Sequence, residues 1–369
     1  MNNSANIVKT ANFVQILCLG RFMKGKIVIL FLAIVSLLSF SCTRSGYVKI
    51  EGYAQGGVYT VTFNTEGVAL SPVEIRDSIE SILHKIDVTL SGYNKNSVLS
   101  RFNAGENVVV DDMFAEIYSA AYEIFAETHG AVDVSFSPLY DMWGFGFKNG
   151  SLPSGRQVDS VMNFCGMHRL RATMSDLVGS EISPSVLSDG AFGPQLNYNA
   201  IAQGYSCDLV AEYLYSIGVK DMMVNIGEIF CDGKNPSGMA WNIGIDRPED
   251  GNDQPGAQLQ GIFAVPEGPH GVVTSGNYRK FYVRDGKKYA HTVDPRSGYP
   301  VTHNLLSATI IAENALLADA YATYCMVIGL EEAKAFIESR EDLEGCLVYD
   351  QGGEFVTWCS AGLETRKAN

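Results

Sequence analysis

The chain has 369 residues, 46% of them hydrophobic, with 27 Lys and Arg against 41 Asp and Glu, for a net charge of −14. That length and hydrophobic content suffice for a substantial core. Such acidity argues against nonspecific nucleic-acid binding, which needs a basic footprint, and any anionic ligand would need a metal ion or backbone N–H groups to hold it.

In chain order, the first element is an export leader. Lys24 and Lys26 precede an apolar run, residues 27–38, broken only by Ser36. The run is shorter than the roughly 20 residues that span a bilayer. It reads as a signal-peptide segment, with an uncleaved N-terminal anchor as the alternative. Met23 reads as the natural start, so residues 1–22 are an upstream extension and 23–41 the signal peptide. Ser41-Cys42 resembles the lipobox of bacterial lipoproteins. That resemblance implies a lipidated Cys42, a tether over 42–50 and a folded domain over 51–369, held in the bacterial cell envelope by a membrane anchor and facing the periplasm. Loss of Lys9, Arg21, Lys24 and Lys26 with the leader takes the net charge from −14 to −18.

Residues 58–63 alternate like a strand, with Val58, Thr60 and Thr62 on one face. Ser71-Pro72-Val73-Glu74 is a helix start, with Ser71 as N-cap, Pro72 at N1 and Glu74 at N3. The helix runs to about residue 86 on a stripe of Ile75, Ile79, Ile82, Leu83 and Ile86. Further helices cover 113–128, closed by Gly130, and 203–217, closed by Gly218. Residues 221–229, 241–245 and 260–265 read as strands, and 247–256 as a polar surface loop. Residues 305–312 form another strand, followed by a helix over 314–328 that ends at Gly329. Strands and helices intermingle without a regular βαβ repeat. This predicts an α+β fold with largely antiparallel or mixed sheets and packed helices, as one large domain with two joined lobes.

Three segments carry candidate chemistry. In 272–300, Thr274-Ser275-Gly276 offers two hydroxyls and a glycine where backbone N–H groups can approach an anion. The same segment holds Asn277, Tyr278, Arg279 and His291, an acid or base near neutral pH. Asp294-Pro295-Arg296-Ser297-Gly298 is turn chemistry. Two strands and a polar turn would account for these residues equally well. On the 314–328 helix, Asp319 and Thr323 lie four apart and share a face. A carboxylate and a hydroxyl so placed can ligate a hard cation. An Asp favourable to the helix dipole and a Thr bonding back to a carbonyl would explain the same pair. Residues 196–208 take a strand into a glycine-bearing helix start, which presents backbone groups to a ligand, although a plain strand–helix joint reads the same. Cys165, Cys207, Cys231, Cys325, Cys346 and Cys359 follow Cys42 without C-x-x-C or zinc spacing. Cys207 and Cys325 sit in apolar helical patterns as small hydrophobes.

Six segments in order resemble the FAD:protein FMN transferase (ApbE) family over nearly all of the exported part. They are I-D-V-T-L-S-G-Y-N-K-N-S-V-L-S-R-F-N (86–103), A-V-D-V-S-F-S-P-L-Y-D-M-W-G-F (131–145), L-N-Y-N-A-I-A-Q-G-Y-S-C-D (196–208), T-S-G-N-Y (274–278), H-T-V-D-P-R-S-G-Y-P (291–300) and A-D-A-Y-A-T (318–323). The resemblance implies an ApbE-like fold and an enzyme that uses FAD and Mg²⁺ to move FMN to a Thr or Ser hydroxyl of an exported protein, releasing AMP. It implies Asp319 and Thr323 as side-chain metal ligands, with the carbonyls of Ala200 and Ala322 beside them. Thr274, Ser275, Gly276, Gln203, Glu228, Tyr93 and His291 would surround FAD. His291 would act as base, with Asp294 as its orienting or acidic partner. Acceptors would be subunits of Na⁺-translocating NADH:quinone reductase or Rnf-type complexes. Gln203 stands where the family often has Lys, Asn197 and Asn199 replace Asp and Gly, Asn277 replaces an Asp, and Ile226-Gly227-Glu228 lacks one glycine. An FAD pyrophosphatase and a noncatalytic flavin-binding lipoprotein are the competing functions.

Overall fold

The computed structural model describes residues 46–145, 153–188, 193–249, 252, 256–277, 281–284, 287–363 and 365–366. The leader with Cys42 lies outside the described residues, as do Tyr278 and Arg279.

β1 (Tyr47–Ala54) and β2 (Gly57–Asn64) form a hairpin, followed by α1 (Pro72–Leu90), α2 (Val98–Asn103), β3 (Val108–Val109), α3 (Asp112–Glu127), α4 (Ser137–Trp143), α5 (Gly155–Met162) and β4 (Glu181–Ile182). Then α6 (Ala202–Ser216) leads into β5 (Met222–Asn225), β6 (Ile229–Asp232), β7 (Asn242–Asp246), β8 (Leu259–Ala264) and β9 (His270–Gly276). Two short ribbons follow: β10 (Phe281–Arg284) with β11 (Lys287–Ala290), and β12 (Val293–Asp294) with β13 (Tyr299–Pro300). The chain continues through β14 (Leu305–Ala312), α7 (Ala315–Ile328), α8 (Leu330–Glu338), β15 (Glu344–Gln351), β16 (Glu354–Cys359) and β17 (Thr365–Arg366).

Eight strands in the order β1-β2-β5-β6-β9-β14-β15-β16 make the main sheet, and every pairing in it is antiparallel. This is the α+β arrangement that the mixed pattern of elements predicts. The strand expected over 221–229 stops at Asn225; the chain turns at Gly227, with φ +92°, and returns as β6 to complete a hairpin with β5. A positive φ of that kind favours glycine, and the apolar residues on either side hide the break. β1 also takes up Tyr47 to Ile50, which the sequence assigns to a tether; their pairing with β2 puts the start of the sheet earlier.

The predicted cap of α1 is present. Glu74 N–H donates to Ser71 Oγ at 3.3 Å, and Ser71 N–H donates to Glu74 Oε2 at 2.8 Å. Ile75, Ile79, Leu83 and Ile86 are buried as the stripe requires, and the helix runs on to Leu90. Apolar side chains from α1, α3, α6 and β2 form the largest core cluster. A second joins α7 to β9, β14 and β15, and a third lies between the main sheet and the three-stranded sheet β17-β8-β7. Cys346 and Cys359 are register partners on β15 and β16 and form a disulfide. Cys207 and Cys325 are buried free thiols, as their helical pattern suggests. Among the described residues no helix is long and apolar enough to cross a membrane.

Candidate active site

The site is built where α6, α7 and the end of β9 meet. Their closeness depends on two glycines. A Cβ on Gly204 would stand 2.1 Å from Ala315 O, and one on Gly271 would stand 2.3 Å from Asn314 and Ala315 backbone atoms. Without side chains there, the first turn of α7 lies directly against α6 and β9. Asn314 caps α7 by accepting Leu317 N–H at 2.8 Å. Asp208 on α6 adds a second cap, accepting Ala315 N–H on Oδ1 and Leu316 N–H on Oδ2, both at 2.8 Å.

One turn further along α7, Asp319 is 5% exposed and accepts Gly204 N–H at 3.2 Å. Its carboxyl is pushed up to about 7, first by burial, then by the nearby Asp208, against the pull of the Gly204 N–H. Asp208 is likewise pushed up to about 7 by burial, with Glu212 adding and the two α7 N–H groups opposing. Thr323 shares the Asp319 face, and its Oγ1 lies 3.5 Å from Ser275 Oγ on β9. The neighbouring Thr274 is turned to the other face of the strand, where its hydroxyl meets Thr309 Oγ1 at 2.8 Å.

These residues open onto a cavity of about 280 Å³. Tyr93, Ala200, Gln203, Glu228, Thr274, Ser275, Gly276, His291, Asp319 and Thr323 all line it, as the sequence groups them. Tyr93 is 69% exposed. The Gln203 amide donates to Ile226 O at 3.2 Å and lies where a Cβ at position 227 would stand 2.4 Å from its nitrogen, so a side chain there would push the amide aside. The ring of His291 meets that of Phe145 edge-on at 6.5 Å.

Two expected members are elsewhere. Asp294, read as the partner of His291, is not among the cavity-lining residues. Its carboxylate is held by Arg296 Nε at 2.9 Å and Nη2 at 3.0 Å, and its Oδ1 also accepts Arg296 N–H at 2.9 Å. The Asp-Pro-Arg turn folds the carboxylate back onto its own arginine. Ala322 is fully buried within α7 and does not reach the wall of the cavity.

The sequence did not single out Asp133, Tyr140, Thr292, Asn197 and Asn199 as cavity residues, yet all five line it. Asp133 is 5% exposed and accepts Ser135 N–H at 2.8 Å, Ser135 Oγ–H at 2.6 Å and Met167 N–H at 3.0 Å. Burial nevertheless raises its carboxyl above the usual range. Thr292 donates its hydroxyl to Asn277 Oδ1 at 2.6 Å. Asn197 Oδ1 accepts Asn199 N–H at 2.9 Å, which shapes the turn into α6. A polar residue inside the apolar string A-V-D-V-S-F was the available signal for Asp133.

Electrostatically the cavity is one-sided. Asp133, Glu228 and Asp319 line it, and no Lys or Arg does among the described residues. No group of three or more His, Cys, Asp or Glu is arranged to hold a metal among the described residues. A cation beside Asp319 would rest on that buried carboxylate, with the neutral oxygens of Thr323 and Ala200 on the same wall. That donor set suits a hard ion that keeps positions for ligand oxygens.

The ApbE family model matches residues 55–347. The chain is 32% identical over 293 residues to the FAD:protein FMN transferase of Escherichia coli, covering 78% of this chain and 80% of that one. It is 31% identical over 323 residues to the FAD:protein FMN transferase of Salmonella typhimurium, covering 86% and 88%. Among solved structures it is similar to the apo form of the Pseudomonas stutzeri flavinyl transferase ApbE, with a TM-score of 0.72 and 32% identity over 85% of this chain and 95% of that one. The flavin transferase ApbE from Vibrio cholerae gives a TM-score of 0.69 and 28% identity over 85% and 97%.

Proposed function

The chain belongs to the ApbE family, and we propose that its cavity performs FAD:protein FMN transfer, with Mg²⁺ as cofactor and a Thr or Ser hydroxyl of an exported protein as acceptor. The single observation that carries the cation is Asp319, a buried carboxylate on a cavity wall that has no Lys or Arg among the described residues. A dinucleotide brings its own negative charge, so binding in this wall calls for a divalent ion. Asp319, the Thr323 hydroxyl and the Ala200 carbonyl fit such an ion. When bound, it would neutralise diphosphate oxygens and the charge that develops on the leaving phosphate. The Ala322 carbonyl, inside α7, is the weakest member of the expected ligand set.

The chain's own groups do the remaining work. Ser275 and the backbone around Gly276 hold phosphate oxygens, and Tyr93 at the exposed mouth stacks on a ring of FAD. His291 accepts the proton of the acceptor hydroxyl. The acceptor oxygen forms a bond to the FMN phosphorus, the bridging P–O bond breaks, and AMP departs with that electron pair. Phe145 packs against the His291 ring and orients it, the task expected of Asp294.

Export is part of the same proposal. The apolar run 27–38 before Cys42 supports a lipid-anchored protein on the periplasmic side of the cell envelope, and the Cys346–Cys359 disulfide suits an oxidising compartment. The acceptors would be exported subunits of Na⁺-translocating NADH:quinone reductase or Rnf-type complexes. Purified protein with FAD, Mg²⁺ and a Thr-bearing acceptor tests the activity. A covalently flavinylated acceptor supports transfer, whereas AMP and free FMN with an unlabelled acceptor would mean hydrolysis and contradict it.

A further inference from the structure

Tyr140 is one of the residues that line the cavity, and the proposed mechanism gives it no role. It belongs to α4, a short helix fixed at both ends. Before the helix, Phe136 bridges to Gln195. At its end, Gly144 takes φ +79°, Trp143 Nε1–H donates to Gly298 O at 2.9 Å, and the Tyr299 ring packs edge-on at 5.8 Å. Leu139 is fully buried in the apolar cluster under the helix, against which the Tyr140 ring packs from its half-buried position. The body of the side chain is thus held by a rigid support, and its hydroxyl makes no hydrogen bond among the described residues.

Two carboxylates stand near enough to influence that hydroxyl. Burial pushes the Tyr140 phenol up, and Asp133 and Asp294 add to the effect, so the group keeps its proton. Neither carboxylate claims that proton. Asp133 is engaged by Ser135 and Met167, and Asp294 by Arg296, and neither accepts from Tyr140. What remains is a neutral O–H donor on a supported ring, in a cavity lined by Asp133, Glu228 and Asp319 and by no Lys or Arg among the described residues.

We propose that Tyr140 binds the nucleotide substrate directly, donating a hydrogen bond to an acceptor atom of the dinucleotide and so helping the cavity select it. This rests on the reading that FAD occupies the cavity. A neutral donor suits this position: it supplies a hydrogen bond to an electron-rich ligand without placing a cation beside Asp133. A ligand lacking the acceptor would leave the hydroxyl unpaired in a partly desolvated wall, which is how a polar site discriminates.

The test is Tyr140→Phe, which removes one oxygen and keeps the ring packing. FAD affinity is measured for the full-length protein by quenching of flavin fluorescence, with thermal unfolding as a check on the fold. The expected result is FAD binding weaker by about five- to tenfold, the size of one hydrogen bond. In turnover the KM for FAD rises while kcat stays within about twofold, the signature of lost uniform binding. Equal affinity of wild type and variant would overturn the assignment while leaving FAD as the ligand. Failure of the wild-type protein itself to bind FAD would instead overturn the reading on which the assignment rests, and the assignment with it.

Discussion

Asp208 and Asp319 cap each other's helices. Asp208 on α6 accepts Ala315 and Leu316 N–H at the start of α7, and Asp319 on α7 accepts Gly204 N–H at the start of α6. Both carboxylates are therefore held by helix N-terminal N–H groups and not by basic side chains. The exchange fixes the register of α7 against α6, and with it the position of Asp319 and Thr323 on the cavity wall. Asp208→Ala leaves two N–H groups at the α7 start without this partner. We expect a loss of about 2–4 kcal/mol in urea unfolding, with Asp208→Asn losing less because one acceptor remains. A loss under about 0.5 kcal/mol for the alanine variant would contradict the capping role.

Gly204→Ala tests the close approach separately. The new Cβ would collide with Ala315 O at 2.1 Å, a backbone atom that cannot turn aside. We expect destabilisation of about 1–3 kcal/mol from forced displacement of α7, with reduced turnover in the fraction that folds. Wild-type melting and turnover would show that the helices have slack between them.

The raised carboxyls give stability a definite pH dependence. Asp208 and Asp319 ionise near 4 when unfolded but hold their protons to about 7 when folded. Between those values the folded state holds more protons on these two groups, so their contribution to the stability of the metal-free protein falls as pH rises from about 4 to 7, with no further loss from them above that window. Asp319→Asn removes its share of the slope. Melting temperatures of both proteins across that window, with a chelator present, check the sign. An unchanged slope in the variant would contradict it.

His291→Ala is expected to lower the transfer rate by about 10²–10⁴-fold while FAD binding changes little, as for loss of a general base. An unchanged rate would remove the base assignment. Asp294→Asn is expected to act through the Arg296 turn, lowering the melting temperature more than the rate, and a rate loss as large as that of His291→Ala would return Asp294 to the chemistry.

Much of the site was legible because its residues sit on regular elements. Asp319 and Thr323 are four apart on a helix, so spacing alone places them together, and Ser275 stood out as one of two hydroxyls beside a glycine in T-S-G. The rest depended on turns. Nothing in D-P-R-S-G says that the carboxylate folds back on Arg296, away from the cavity, because direction within a turn is set by tertiary packing. D-M-M-V-N-I-G-E-I reads as one strand until Gly227 takes a positive φ. α4 is only seven residues long, too short for periodicity to reveal, and Tyr140 within it and Asp133 just before it were missed with it. β15 and β16 went unread, and the Cys346–Cys359 pair with them, since pairing between cysteines cannot be deduced without the strand register.

The most direct measurement is mass spectrometry of a Thr-bearing acceptor incubated with FAD, comparing wild-type protein with Mg²⁺, wild-type protein with a chelator, and Asp319→Ala with Mg²⁺. The account predicts an acceptor heavier by one FMN phosphoester in the first sample alone, with Asp319→Ala still folded. Equal labelling in the chelated sample or by the variant would contradict it.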